Sequence, residues 1–395
     1  MRLLICAGGT GGGVYPALAV LQAAEKFERK AEFSNSTGTS VEDQDINSSF
    51  QVIWIGSEGG MEIGLIKKES IPYKTIPAAG VHGVGLKHLP GNLLQLLRGY
   101  FKSRKILDSF QPDVLLFTGG FVAVPMALAA IKYPSLLFVP DIEPGLALKS
   151  IARFANHIAI SMPDSRKFYS RSDSLSLTGY PVRKDLKRWN KQQALQILGL
   201  KSNIPILFVF GGSKGARSIN RALDPILGIL LQTMQVIHIT GELDWQEFEH
   251  KQKDMIKNYV DPQLVERYKV FPYLHERMGA ALSVADLVVS RSGASVLGEF
   301  SAFGLPAILV PYPYAWQYQY VNAEYLESQG AALIIRDGEL SEKLLSTISE
   351  VMCNPHKRQE MSKSMQKLDK PEAAENIYRL LKGLVPQSAK KGLEQ

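Results

Sequence analysis

The sequence predicts an α/β protein made of two Rossmann-like, doubly wound halves facing across a cleft. Three observations carry this. Short apolar runs alternate with stretches of helical periodicity, the pattern of parallel strands buried on both faces and joined by helices. Two of those runs, Arg2 to Ala7 and Ile204 to Phe210, end in glycine-rich turns that open onto helices. The pattern restarts at Gly179 to Arg183, near the middle of a 395-residue chain that is long for a single core.

Composition narrows the class. Hydrophobic residues make up 45% and charged residues 21%, ordinary values for a globular protein. No apolar run approaches the roughly 18 residues that a membrane-spanning helix needs. The first residues, MRLLICAGG, read as a strand running into a turn and not as a signal peptide. The two cysteines, Cys6 and Cys353, are far apart and fit neither a disulfide framework nor a metal site, which suits a reducing compartment. A net charge of +7 suits an anionic partner. Nucleic acid is not the expected one, because no zinc-finger spacing, aromatic RNA-binding motif or long basic run is present.

In chain order, the strand Arg2 to Ala7 leads into Gly8, Gly9, Thr10, Gly11, Gly12 and Gly13, with Pro16 near the start of the next helix. Such a loop lets backbone approach a phosphate or sugar closely. It is neither a Walker A loop nor a GxGxxG fingerprint with its distant acid. Residues 32–50 are polar and read as a flexible surface insertion. The sheet resumes at Gln51 to Ile55, and Thr75 to Gly85 reads as loop.

The helix in Leu86 to Leu107 carries Leu93, Leu94, Leu97, Tyr100 and Phe101, interleaved with Arg98, Lys102, Arg104 and Lys105. Two readings of this pattern stand: a leucine stripe packed on the sheet, or an apolar and basic face for a membrane surface. The strand Asp113 to Phe117 ends in Thr118, Gly119, Gly120 and Phe121. The strand Leu136 to Val139 ends in Pro140, Asp141, Ile142, Glu143, Pro144 and Gly145, and Ala155 to Ser161 closes this half. Strand ends rich in glycine and carboxylates mark the edge where doubly wound sheets bind ligands.

In the second half, Ile204 to Phe210 runs into GGSKGA at Gly211 to Ala216, and a helix follows from Arg217 to Leu231. Val236 to Thr240, Val270 to Phe271, Leu287 to Val289 and Ala307 to Val310 continue the sheet. Leu340 to Met352 and Glu360 to Leu384 read as helices. The polar tail 386–395 reads as frayed. The domains are therefore expected at 1–182 and 183–367, with a final helix at about 368–385 packing back on the first.

Ala285 to Asn322 is the most informative stretch. Its strand stops at Ser290, and Arg291, Ser292, Gly293 and Ala294 form a turn. A helix starts at Ser295 and ends before Gly304 and Pro306. The turn sits where a parallel strand meets a helix N-terminus, a place that favours anions. Glu299, one turn into the helix, can accept two hydrogen bonds from a ribose diol.

The string RSGA, Glu299, GLPAILVP, then Gln319 and Asn322, resembles the donor-binding segment of GT-B nucleotide-sugar glycosyltransferases, and the MurG family in particular. GGTGG at Gly8 to Gly12, GGF at Gly119 to Phe121, GYPVR at Gly179 to Arg183 and GGSKGA extend the resemblance over nearly the whole chain. It implies an acceptor-side, membrane-facing N-terminal domain and a UDP-sugar-binding C-terminal domain. It implies inverting transfer of N-acetylglucosamine from UDP-GlcNAc to the C4 hydroxyl of the muramyl unit of lipid I, giving lipid II for peptidoglycan, at the cytoplasmic face of the cell membrane. No cofactor and no metal are expected.

By position, Arg183 and Ser213 fall at the donor diphosphate, Glu299 at the ribose and Gln319 at the sugar. Gly293 and Ala294 belong to the same donor set, and Thr10, Gly11 and Gly12 line the cleft. The resemblance also favours the membrane reading of the Leu93–Lys105 face. Two departures stand out. The family reads GGTGGH where this chain has Gly13, which removes its candidate base histidine. It reads His-Glu-Gln-Asn where this chain has VPDIEPG, with Asp141 at the Asn position. Asp141, with Glu143 as the alternative, is the expected replacement base. The other readings are a GT-B transferase with another glycolipid or small-molecule acceptor, or a catalytically weakened nucleotide-sugar-binding protein.

Overall fold

The protein is described from a computed structural model covering residues 1–9, 11–35, 50–60, 62–80, 87–212, 215–258, 261–314 and 318–386. The chain divides into two compact units, residues 1–183 with 370–395, and residues 184–369.

The first unit holds seven parallel strands. These are β1 (Arg2–Ala7), β2 (Gln51–Ser57), β3 (Tyr73–Ile76), β4 (Val114–Gly119), β5 (Ser135–Val139), β6 (His157–Ile160) and β7 (Leu175–Leu177), in the spatial order β3-β2-β1-β4-β5-β6-β7. The strands β1, β4 and β5 are buried nearly end to end, as a sheet covered on both faces requires. The covering helices include α1 (Gly11–Asn35), α2 (Glu62–Lys68), α3 (Leu89–Phe110), α4 (Ala123–Ala129) and α5 (Leu146–Ile151).

The second unit holds six parallel strands: β8 (Ile206–Phe210), β9 (Gln235–Ile239), β10 (Tyr268–Phe271), β11 (Leu287–Ser290), β12 (Ala307–Leu309) and β13 (Ala332–Ile334), in the order β10-β9-β8-β11-β12-β13. The strand order therefore reverses at β1/β4 in one unit and at β8/β11 in the other, which fixes where each sheet opens a crevice.

Several expectations need correction. The helix α1 begins at Gly11, so three glycines of the first loop form its opening turn. Tyr73–Ile76 is a strand where loop was expected from Thr75, because it extends the edge beside β2. β6 is not the last strand of its half: β7 adds to its edge through Ile158↔Leu175. The span Glu360 to Leu384 is two helices, Pro355–Lys367 and Ala373–Leu384, separated by a segment carrying Pro371, which cannot continue a helix. The helix α1 runs to Asn35, so residues 32–35 are helical. Residues 36–49 of the expected insertion lie outside the described residues, as does 387–395 of the tail.

The helix Ala373–Leu384 packs in the first unit, against α1. Ala19, Ala23 and Ala374 are all buried there, and small side chains let the two helices approach closely. Phe27 stacks on Tyr378 with centroids 5.4 Å apart, and the Tyr378 hydroxyl donates to Glu28. Lys26 pairs with Glu375 at 3.3 Å and Lys382 with Glu28 at 3.1 Å.

Candidate active site

At the switch point of the first unit the turns after β1 and β4 touch. Gly120 has φ +87°, and a Cβ there would lie 2.5 Å from the carbonyl oxygen of Gly8, so only glycine fits. Beneath this junction is Glu62, fully buried in α2. Its carboxylate accepts from the backbone N–H of Ser57 at 2.8 Å, the Ser57 hydroxyl at 2.9 Å and the N–H of Gly9 at 3.3 Å. Three hydrogen bonds make burial of a carboxylate tolerable. Glu62 thus ties the β1 turn to the β2 turn. Nothing in its sequence neighbourhood marks it out. Burial, and then the Glu62 carboxylate, push the Cys6 thiol up, so Cys6 is no nucleophile.

Beyond β5, Asp141 and Glu143 are both half-buried. Glu143 pairs with Lys149 at 3.1 Å. Asp141 is not the cap of the next helix: α5 starts at Leu146 with Gly145 in the cap position and no side-chain cap. Two carboxylates therefore follow the strand beside β4, whose turn meets the first glycine loop.

Arg183 also belongs to the first unit. The N–H groups of Thr178 and Gly179 both donate to the Ile160 carbonyl, at 3.0 and 3.3 Å. Buried Tyr180 stands edge-on to Phe138 of β5. Arg183 then lays its guanidinium over the ring of Tyr15 in α1, 4.3 Å from the centroid. The structure thus puts Arg183 over the ring that lies against Gly11. Thr10 lies outside the described residues.

In the second unit the loop after β8 is held against β9. A Cβ on Gly215, φ +76°, would lie 2.4 Å from the Thr240 carbonyl oxygen. Ser213 lies outside the described residues. Behind the loop is a buried polar chain. Asn220 donates its amide N–H groups to the Thr240 carbonyl at 2.8 Å and to Asp244 at 2.9 Å, and Arg217 donates to Asp244 at 2.9 Å. Asn220 Oδ1 is left as an acceptor, so His238 Nε2 carries the proton and donates to it at 3.0 Å. His238 Nδ1 then accepts from the Tyr268 hydroxyl at 2.9 Å. Burial lowers the His238 pKa to about 3, against a smaller opposing pull from Asp244, so the ring is neutral.

At β11 the helix Ser295–Phe303 ends on Gly304 in the left-handed region. Arg291 is turned inward. It donates to the Ser218 hydroxyl at 2.8 Å and to the Val310 carbonyl at 3.1 Å, and pairs with Asp337. It ties the β11 turn to the first turn of the helix Arg217–Leu223 and to the segments after β12 and β13. Ser292 donates to the Gln319 carbonyl at 2.7 Å, and Asn322 donates to the Ser292 carbonyl at 3.1 Å. These bonds dock the helix Tyr318–Ser328 on the turn carrying Gly293 and Ala294. The side-chain oxygen of Gln319 accepts from the Tyr312 N–H at 3.0 Å. Glu299 is buried on the same helix as Val296 and Phe300.

The helix α3 settles which of its faces packs. Its buried residues are Gly99, Ser103, Ile106 and Leu107, whereas Leu93, Leu94, Leu97 and Phe101 are about half exposed, at 52, 47, 53 and 58%. Tyr100 is half-buried, and Arg98, Lys102, Arg104 and Lys105 are exposed. The leucine stripe does not pack on the sheet. Among the described residues no helix is long and apolar enough to cross a membrane.

Residues 39–160 match the N-terminal domain of glycosyltransferase family 28, and residues 206–377 match its C-terminal domain. The crystal structure of MurG from Acinetobacter baumannii superposes with a TM-score of 0.69 at 23% identity, covering 97% of this chain and 99% of that one. With the parallel strand order 3-2-1-4-5-6 in each unit, extended by β7 in the first, and these matches, this is a GT-B glycosyltransferase. The UDP-N-acetylglucosamine--N-acetylmuramyl-(pentapeptide) pyrophosphoryl-undecaprenol N-acetylglucosamine transferase of Roseiflexus sp. (strain RS-1) is 35% identical, over 98% of this chain and 95% of its own length. The enzyme of the same name from Desulforamulus reducens is 34% identical, over 98% and 100%. The chain belongs to this family, the MurG transferases.

Proposed function

We propose that the protein transfers N-acetylglucosamine from UDP-GlcNAc to the C4 hydroxyl of the muramyl unit of lipid I, forming lipid II and releasing UDP. The observation that carries this reading is likeness of 34–35% identity, along essentially the full length, to transferases of that name. The donor segment supports it: a turn opening on a helix, Glu299 within that helix, and Gln319 docked beside the turn. Glu299 holds the ribose, Gln319 the sugar, and Ser213 with its loop the diphosphate. Arg183 adds positive charge to the diphosphate.

In an inverting transfer the acceptor oxygen forms its bond to the anomeric carbon as the bond to the UDP oxygen breaks. The acceptor proton must go to a base. Gly13 has no side chain to take it. Asp141 is the first choice for that role, since it fills the slot of a family residue close to the donor sugar, and Glu143 is the alternative. The exposed face of α3 rests on an anionic membrane, apolar side chains in the headgroup boundary and basic ones toward phosphates. Release of UDP from UDP-GlcNAc on adding purified lipid I, with the disaccharide product seen by mass spectrometry, tests the reading. UDP release with some other acceptor and none with lipid I would overturn it.

A further inference from the structure

We propose that Tyr15 is a positioning residue whose ring face holds the Arg183 guanidinium in its working orientation. The proposal rests on the reading of Arg183 as a diphosphate contact given above. The guanidinium carbon lies 4.3 Å from the ring centroid, well inside the range of a cation–π contact.

The surroundings are built for this contact. A Cβ on Gly11 would lie 2.8 Å from Cε2 of Tyr15, so a glycine one turn earlier makes room for the ring. The backbone leading to Arg183 is fixed by the two hydrogen bonds to Ile160 and by Tyr180 against Phe138. Three residues later the side chain lies on α1. A guanidinium lying on a ring keeps its N–H groups in its own plane, pointing outward at its edge. The ring takes up the face of the group and leaves that edge to other partners while the group itself is held. Holding it in advance removes rotamer entropy that diphosphate binding would otherwise have to overcome.

A lysine could not do this, because an ammonium has no plane to stack. Tyr15 could instead act alone, by stacking on a substrate sugar. The two roles differ in coupling: if Tyr15 acts through Arg183, its loss adds nothing once Arg183 is gone.

The experiment is a double-mutant cycle on full-length protein, with kcat and KM read for both substrates. Tyr15→Leu should lower kcat/KM by about three- to thirtyfold, in the same constant that Arg183→Ala moves. The double variant should match Arg183→Ala within about twofold. Tyr15→Phe, which keeps the ring face, should recover most of the loss, and Arg183→Lys should behave like Arg183→Ala. If Tyr15→Leu melts early, Tyr15→Met takes its place in the cycle. Losses that multiply in the double variant, or a Tyr15→Leu enzyme with unchanged constants, overturn the proposal. An unimpaired Arg183→Ala enzyme overturns instead the diphosphate role of Arg183.

Discussion

The hydroxyl of Thr118 donates to the carbonyl oxygen of Gly13 at 2.7 Å, joining the end of β4 to the first turn of α1. A Cβ at position 13 would lie 3.1 Å from the Thr118 carbonyl oxygen, tighter than ordinary packing. The position where the family carries histidine is thus a backbone-to-strand contact in this chain. Gly13 itself offers no side chain to take a proton.

The replacement of Asp141 by Asn keeps shape and polarity but removes the basic site. If Asp141 is the base, kcat should fall by roughly 10²–10⁴ while the dissociation constant for UDP-GlcNAc, read by calorimetry, changes little. Near-normal turnover of both Asp141→Asn and Glu143→Gln would leave the proton to water or to a substrate group and end the assignment.

Donor recognition divides between charge and hydroxyl contacts. A charge-assisted contact to a phosphate contributes about 1.5–3 kcal/mol, so Arg183→Ala should weaken use of UDP-GlcNAc by about tenfold or more. Glu299→Gln should weaken UDP binding and leave the melting temperature within a few degrees. Unchanged UDP affinity in both variants would remove these residues from the donor site.

The α3 face predicts salt-sensitive membrane binding. Each basic residue near an anionic surface contributes about 1 kcal/mol. Sedimentation with anionic vesicles should show binding that drops as salt rises and drops again in Leu97→Glu. Because Leu97 is exposed, that variant should keep its fold. Equal binding to neutral and anionic vesicles would contradict a role for Arg98, Lys102, Arg104 and Lys105.

His238 predicts a pH dependence of stability. Its folded pKa, about 3, lies below the ordinary 6.5. The unfolded chain therefore takes up a proton as pH falls through 6.5, while the folded protein does not until about 3. The neutral ring's contribution is complete above 6.5 and is lost across that window. The slope from this group approaches about 1.4 kcal/mol per pH unit. Urea titrations of His238→Gln should give lower stability at neutral pH and a flatter profile between pH 6 and 4. An unchanged slope would mean that other groups set the acid limb.

What the sequence made legible was periodic or glycine-marked. The β11 turn and its helix show in the run LVVS, the break at Gly304 and Pro306, and the second apolar run. β7 and β13 are three-residue strands at sheet edges, only partly buried where the equally short β12 is buried throughout, and so did not stand out. The same limit applies to the site. Glu299 and Gln319 stand out because they lie at fixed offsets from the turn. Glu62, Asn220 and His238 act through partners brought together by the fold from far along the chain, as His238 and Tyr268 are, so no local pattern announces them. The amphipathic pattern of α3 left two faces open, and Gly99 decides between them. Its Cβ would lie 2.3 Å from the Pro77 carbonyl oxygen, so the helix must press its glycine side inward and turn its leucines out.

The helix Ala373–Leu384 belongs to the first unit but is made after the whole of the second. As the chain leaves the ribosome, residues 184–369 form an uninterrupted stretch that can close on itself. The earlier-made residues 1–183 must wait until Ala373–Leu384 has been made to cover the surface around Ala19, Ala23 and Phe27. An mRNA truncated after codon 369 should therefore yield a chain whose later half resists protease while its earlier half is cut, the reverse of the order in which the two were synthesised.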